Sequence, residues 1–484
     1  MTLNAIPYSR TKIVATIGPA SRSPEALGRL IEAGVTVFRL NFSHGTHAEH
    51  SEVVATIRER SAAMNKEVAI LQDLCGPKMR LGPIPGDLVE CPLGEEFTMV
   101  VEPSAIPPAN ELSCSYRELP NDLRIGESVL FADGTVGMEV IETLPGRAKL
   151  RVNLPGRLRS RQGINLPGSE LAVKSLTDKD LADLDWTAAH ANDVQYVGLS
   201  FARTAEDVQW LRRELLARNC QAHIVVKIEK PQAVKNLESI VAATDAVMVA
   251  RGDLGVEMDV HRVPAIQKRI IELCNRTHRP VITATQMLNS MENSSRPTRA
   301  EASDVFNAVV DGTDAVMLSG ETAIGEYPAK AVLMMRQICL EAEAFLKTRG
   351  RRAIAEYAPL RGFIEPITEA AVDAACLVTE RLDAPMIVVS TASGRTAKAL
   401  SNRRPAAAIL ALTRTRENAR QLALCWGVTS LVTPGDSSTD QELATAIEYA
   451  KARNIVAAGN HIVLLRGQLP GQSMERAVLA QQVV

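Results

Sequence analysis

The sequence predicts an α/β protein: a (β/α)8 TIM barrel, an all-β lid domain inserted between barrel strands 3 and 4, and a C-terminal open α/β domain. Three observations lead there. Eight short β-branched runs alternate with amphipathic segments that carry helix start signals, which is the pattern of βα units around a parallel sheet. Residues 73–194 separate the third run from the fourth, far more chain than a βα connection needs. A further set of alternating strand and helix patterns follows an Arg-rich, irregular stretch between Lys347 and Pro366.

In chain order the eight runs are Lys12–Ile17, Val35–Leu40, Val68–Gln72, Gln195–Ser200, His223–Ile228, Ala246–Ala250, Val281–Ala284 and Ala315–Leu318. Between them Ser23-Pro24-Glu25 opens a helix that Gly34 closes, and Thr46 with Glu49, Thr204 with Asp207 and Thr298 with Glu301 have capping-box spacing. Eight strands alternating with helices close a barrel, and chemistry then belongs at the carboxyl ends of the strands. The insertion reads as β structure because it is rich in Gly and Pro around Glu96–Val101, Ser128–Phe131 and Lys149–Val152. The last block has strands near Met386–Ser390, Ala408–Leu412, Thr429–Val432 and Ile462–Leu465. The expected boundaries are 1–75 with 169–346 for the barrel, 76–168 for the lid and 347–484 for the C-terminal domain, which suits 484 residues at roughly 150 per domain.

Composition excludes several classes of function. A formal charge of −2 gives no basic field for nucleic acid, so an anionic ligand must be met by local cations. No run of about 18 apolar residues suggests a membrane span, and Met1 to Lys12 lacks the apolar core of a secretory signal, so a cytoplasmic address is expected. The eight cysteines are scattered with no metal-ligand or disulfide spacing and read as small buried hydrophobes.

Candidate chemistry sits where the strands run out. Glu229, after Lys227-Ile228, and Asp253, after Arg251-Gly252, leave adjacent strands; two converging carboxylates with room for water and phosphate oxygens suit Mg²⁺. Capping of the following helices is the plainer role for either one alone. Lys227 lies inside the strand, where an ammonium needs an anionic partner; it is either a structural ion pair or the cation for a transferring phosphoryl group. Arg39, Asn41 and Ser43 alternate along one strand face. Arginine forks onto phosphate, and the Asn and Ser oxygens suit a monovalent cation. Thr285 and Ser319 end the seventh and eighth strands, where hydroxyls often ring a phosphate, although Thr285 is equally able to bond a backbone carbonyl.

The segments TKIVATIGPAS, RLNFSHG, DLCGPKMR, GINLPG, KIEKP, VMVARGDLGVE, ATQML, RPTRAEASDVFNAVVDGTDAVMLSGETA and STASGRTA resemble, in order and over nearly the whole chain, the signatures of the pyruvate kinases. The resemblance implies transfer of a phosphoryl group from phosphoenolpyruvate to ADP, giving pyruvate and ATP in the last step of glycolysis. It implies Mg²⁺ or Mn²⁺ on Glu229 and Asp253, Lys227 as the cation at the transferring group, and Gly252, Asp253 and Thr285 around the substrate carboxylate. Arg39 would hold the phosphate. Asn41, His44, Arg80, Asp133 and Arg161 would face the nucleotide, Asp133 and Arg161 matching a carboxylate and a basic residue of the family's lid. The enolate's proton would come from Thr285, Ser319 or a water chain. The family is usually tetrameric, with a helix such as Thr298–Val310 offered to a partner.

Two departures from the family pattern carry expectations. Where much of the family reads Asp-Thr-Lys-Gly-Pro-Glu, this chain has Asp73-Leu74-Cys75-Gly76-Pro77-Lys78. The Lys78 ammonium would then replace the K⁺ otherwise held near Asn41, Ser43, Asp73 and Leu74, making activity independent of K⁺. Thr391, Ser393, Gly394, Arg395 and Thr396 form a strand-to-helix turn able to cradle a phosphate, as in the family's sugar-phosphate effector loop. Ala392 stands where some members have Lys, and Gly467 to Gln472 lacks their Trp-Arg-Pro segment, which argues against a bisphosphate sugar. The competing readings are a Mg²⁺-dependent aldolase or lyase of pyruvate enolates, and a catalytically inactive sugar-phosphate sensor.

Overall fold

Strands rich in Val, Ile and Ala on both faces need cover on both sides, and a closed barrel ringed by helices supplies it. The computed structural model describes residues 9–168, 174–348, 360, 362–434, 437–466 and 476–484. Eight parallel strands close in sequence order: β1 (Lys12–Thr16), β2 (Val37–Asn41), β3 (Ala69–Asp73), β4 (Tyr196–Leu199), β5 (His223–Ile228), β6 (Ala246–Ala250), β7 (Val281–Ala284) and β8 (Ala315–Leu318). Their period of two divides the residues cleanly. Val14, Val37, Leu71, Tyr196, Val225 and Met248 fill the interior, while Ile13, Phe38, Ile70, Val197, Ile224 and Val247 face the helices.

The helix signals operate as read. Ser23 caps Pro24–Ala33, which ends at Gly34 with φ 122°. Thr46 with Glu49 and Thr298 with Glu301 form reciprocal capping boxes, and Asp207 accepts from Thr204 N at 3.1 Å.

Between β3 and β4 lies a six-stranded sheet in the order Ile164–Asn165, Ser128–Phe131, Val136–Leu144, Arg147–Leu154, Glu96–Val100 and Glu111–Leu112. A two-stranded ribbon pairs Val89–Cys91 with Gly156–Leu158. Phe97, Phe131, Met138 and Leu150 form the core of this unit.

The C-terminal sheet has five strands: β9 (Met386–Ser390), β10 (Ala408–Thr413), β11 (Val428–Val432), β12 (His461–Arg466) and β13 (Ala477–Gln482), in the order β11-β10-β9-β12-β13. The sequence reading had only the first four. β13 runs antiparallel to β12 at the sheet edge and is largely exposed, so it lacks the apolar run that announces a buried strand. The segment Gly467 to Gln472 and most of the Arg-rich stretch after Lys347 lie outside the described residues.

This domain closes the amino end of the barrel. Ala423 and Leu424 pack with the interior side chains, and the Tyr196 hydroxyl donates to Gln421 O. Lys12 Nζ donates to Val428 O at 2.6 Å, and Arg404 pairs with Asp314 at 2.8 Å. The opposite end, where the strands finish, remains for the polar residues.

Candidate active site

The inward-facing parity that buries Val14, Val37, Leu71 and Val225 continues upward to Thr16, Arg39, Asp73 and Lys227, so four polar side chains crown the apolar core. They bond one another. Arg39 Nε and Nη2 both lie 2.7 Å from Asp73 Oδ2, a forked grip, while Arg39 Nη1 donates to Thr16 Oγ1 at 3.0 Å. Lys227 Nζ lies 3.5 Å from Asp73 Oδ1 and 2.8 Å from Glu229 Oε1 and donates to Ser200 Oγ at 2.9 Å. The ring needs Gly198 on β4, because a Cβ there would come within 2.9 Å of Asp73 Oδ1.

Asp73 and Glu229 are each only 1% exposed, so their charges answer to few groups. Burial pushes the Asp73 carboxyl up, but Lys227 and Arg39 outweigh it and hold the group below its ordinary value. Burial raises Glu229; Lys227 offsets this only in part, and Asp253 adds to the rise. Burial alone would depress the Lys227 ammonium, yet Asp73, Glu229 and Asp253 together raise it, so it stays charged.

The donor set fits a hard divalent cation. Phe201 N donates to Glu229 Oε2 at 2.7 Å, while Glu229 Oε1 and Asp73 Oδ1 are buried oxygens that face the Lys227 ammonium at 2.8 and 3.5 Å. Among the described residues, the side chain of Asp253, on the helix Arg251–Glu257 that follows β6, makes no protein hydrogen bond. Also among these, no group of three or more His, Cys, Asp or Glu side chains forms a complete cage. Two carboxylates with coordination sites left for substrate oxygens and water are what Mg²⁺ prefers.

Arg251 joins the ends of β6 and β7. It donates to Ala284 O at 3.2 Å and Thr285 O at 2.8 Å, and pairs with Asp304 at 2.7 Å. Thr285 and Gln286 are held at φ 68° and 52°, a left-handed conformation that such anchoring must sustain. Thr285 Oγ1 accepts from Gly252 N at 2.7 Å and donates to Ala284 O at 2.6 Å. The carbonyl bond anticipated as the plainer role of Thr285 is therefore present, and Gly252 is the first residue but one of a helix. Beyond β8, Ser319 N donates to Glu321 Oε2 at 2.7 Å, and burial raises the Glu321 carboxyl.

Cations from the β2 loop and the lid gather at His44. Its imidazole is held below the ordinary value by partial burial, then by Arg80, Lys78 and Arg39. Asn41 Oδ1 turns back to accept from Ser43 N at 3.1 Å, so the Asn41 amide oxygen is partly spent on the turn. Leu74 O likewise accepts from Ser200 Oγ at 2.7 Å. Arg80 donates to Arg161 O at 3.2 Å, and a Cβ on Gly163 would lie 3.8 Å from both Lys78 Cε and Asp133 Oδ1. In the C-terminal turn, Gly394 at φ 76° opens the helix Arg395–Asn402 and donates to Thr391 Oγ1 at 3.1 Å. Arg395 Nε reaches Ser393 Oγ at 3.3 Å.

Sequence reasoning did not single out Ser200, Phe201 or Arg251 as functional, and it gave Asp73 no part in holding Arg39 and Lys227. Asp73 ends β3 and Ser200 directly follows β4, both on the inward parity, a signal available in advance. Phe201 acts through its backbone, which no side-chain pattern reports.

Fold and strand-end cluster define the class, a (β/α)8-barrel enzyme with its polar site under a β lid. Comparison with known proteins then specifies it. Residues 8–332 match the family model for the pyruvate kinase barrel domain and residues 369–477 that for its alpha/beta domain. Pyruvate kinase 2 of Synechocystis sp. is 40% identical over 98% of this chain and 79% of its own length. The pyruvate kinase of Clostridium acetobutylicum is 38% identical over 98% of this chain and 99% of its own. A crystal structure of a pyruvate kinase from Cryptosporidium parvum superposes with a TM-score of 0.91 at 33% identity, covering 98% of this chain and 96% of that one. The chain belongs to the pyruvate kinase family. Among the described residues no helix is long and apolar enough to cross a membrane.

Proposed function

We propose that this enzyme transfers the phosphoryl group of phosphoenolpyruvate to ADP at the mouth of the barrel, in the cytoplasm. The observation that carries the reading is the buried Arg39–Asp73–Lys227–Glu229 network beside an unpaired Asp253. Glu229 and Asp253 would hold Mg²⁺ or Mn²⁺, which when bound supplies Lewis-acid neutralisation of phosphoryl oxygens. Lys227, kept charged by its carboxylate neighbours, supports the negative charge on the transferring group, and Arg39 holds the phosphate. Gly252, Asp253 and Thr285 fix the substrate carboxylate, which aligns donor and acceptor for in-line transfer. Thr285 would release Gly252 N to do so. Asn41, His44, Arg80, Asp133 and Arg161 line the nucleotide side, residues 76–168 acting as the lid over a barrel of residues 1–75 and 169–346. The enolate proton arrives through Thr285, Ser319 or a water chain.

Lys78 supplies the charge that K⁺ supplies elsewhere, so activity needs no added K⁺. The purified protein should form pyruvate from phosphoenolpyruvate, ADP and Mg²⁺ in potassium-free buffer; an absolute K⁺ requirement would sink the Lys78 argument, and no pyruvate in either buffer would sink the assignment. Residues 347–484 act as a regulatory domain in a homotetramer, with Thr391, Ser393, Gly394, Arg395 and Thr396 taking an anionic effector of the sugar-phosphate type. Calorimetry against a panel of sugar monophosphates and sedimentation analysis test these two statements.

A further inference from the structure

Three separated segments meet at Glu257, a residue given no part in the chemistry above. Glu257 closes the helix Arg251–Glu257 one turn beyond Asp253, so both carboxylates leave the same helix face. Its side chain is 1% exposed and its Oε1 lies 2.6 Å from Lys230 Nζ. The same oxygen accepts from Asn165 Nδ2 at 3.1 Å, while Oε2 is buried without a donor.

Each partner leads elsewhere. Lys230 directly follows Glu229, and its ammonium lies 5.5 Å from the centroid of the Phe201 ring. Phe201 N is the donor that fixes Glu229 Oε2. Asn165 belongs to the short strand Ile164–Asn165, by which the chain leaves the lid sheet. The lid touches this helix a second time, since a Cβ on Gly134 would lie 3.6 Å from Val256 Cγ1. A buried ion pair stabilises little compared with an apolar contact of the same size, so its presence between two carboxylate-bearing loops calls for a geometric reason.

We propose that Glu257 is a positioning residue that couples the seating of the lid to the spacing of Glu229 and Asp253. The Glu257–Lys230 pair spans from the helix of Asp253 to the loop of Glu229, and Asn165 ties the lid to the middle of that span. The proposal rests on the reading that Glu229 and Asp253 hold a divalent ion.

Mn²⁺ binding to the full-length, nucleotide-free protein, followed by electron paramagnetic resonance, tests it beside steady-state kinetics and melting temperature. Glu257→Gln and Lys230→Met should each weaken Mn²⁺ binding and lower kcat by about 10–100-fold, as loss of a group orienting a metal ligand does. The double variant should lose no more than the worse single. Asn165→Ala should weaken Mn²⁺ binding less than either change to the pair does and lower kcat/KM for ADP, with the melting temperature held; wild-type Mn²⁺ affinity in this variant would overturn the lid's part. Should Glu257→Gln fail to fold, Lys230→Met carries the test, with Lys230→Arg restoring the pair and the affinity. A fall in melting temperature alone, with Mn²⁺ affinity and kcat retained, overturns the proposal. Glu229→Gln binding Mn²⁺ as wild type does would instead overturn the metal reading beneath it.

Discussion

Lys227→Met keeps an unbranched, apolar side chain of similar reach and removes the ammonium. That ammonium lies 2.8 Å from Glu229 and 3.5 Å from Asp73, both 1% exposed. Removing one partner of a buried ion pair costs about 3–5 kcal/mol, because the charge left behind is neither solvated nor paired. At roughly 2–4 °C per kcal/mol for a unit of this size, the melting temperature should fall by about 6–20 °C. Turnover should fall by about 10²–10³, the usual cost of one group that stabilises developing charge. Divalent-ion binding should move the other way: with one cation gone, less positive charge stands against Asp73, Glu229 and Asp253, so Mn²⁺ binds at least as tightly and narrows the melting difference. Pyruvate formation, melting with and without Mn²⁺, and Mn²⁺ titration separate these effects. A variant within tenfold of wild-type kcat, or one that has lost Mn²⁺ binding, would refute the role assigned to Lys227.

Further predictions follow from other contacts. Lys78→Glu should make pyruvate formation dependent on added K⁺, read as a K⁺ titration of kcat, and a variant still indifferent to K⁺ would contradict the charge-replacement argument. Arg251→Leu frees the ends of β6 and β7, so KM for phosphoenolpyruvate should rise about tenfold or more through misplacement of Gly252 and Thr285; an unchanged KM would show that Arg251 does not set that loop. His278 is buried, and burial followed by Arg403 and Arg279, against Asp373, lowers its pKa to about 4. The unfolded chain therefore takes up the proton first, so this contribution to stability is complete above pH ~6.5 and lost as pH falls towards 4, about 2–3 kcal/mol by pH 4.5. His278 sits at φ 55°, which Asn tolerates, so denaturant titrations of His278→Asn should show that much less acid sensitivity.

Much of the fold was legible because its signals are local. Strand runs buried on both faces and Thr-x-x-Glu caps depend on neighbours a few residues away, and the eight barrel strands lie where the hydrophobic period puts them. β13 was missed for the same reason, since an exposed edge strand has no burial to print a pattern. At the site, Glu229 and Asp253 were recognisable from strand ends on adjacent strands, and Arg39 from its alternation with Asn41. The chemistry of Thr285 was only half legible: its hydroxyl was visible, but its left-handed backbone and its hold on Gly252 N were not.

The sequence by itself determined a (β/α)8 barrel with an inserted β unit and a terminal α/β unit, and it named the carboxylates and cations at the strand ends. Only the tertiary structure decided how these charges share one another. Asp73 serves Arg39 from β2 and Lys227 from β5, and Glu257 ties the loop after β5 to the helix after β6 and to the lid. Those pairings follow from closing the barrel, which brings together residues far apart in the chain, and from burial, which makes each unpaired charge costly enough that a partner must be found.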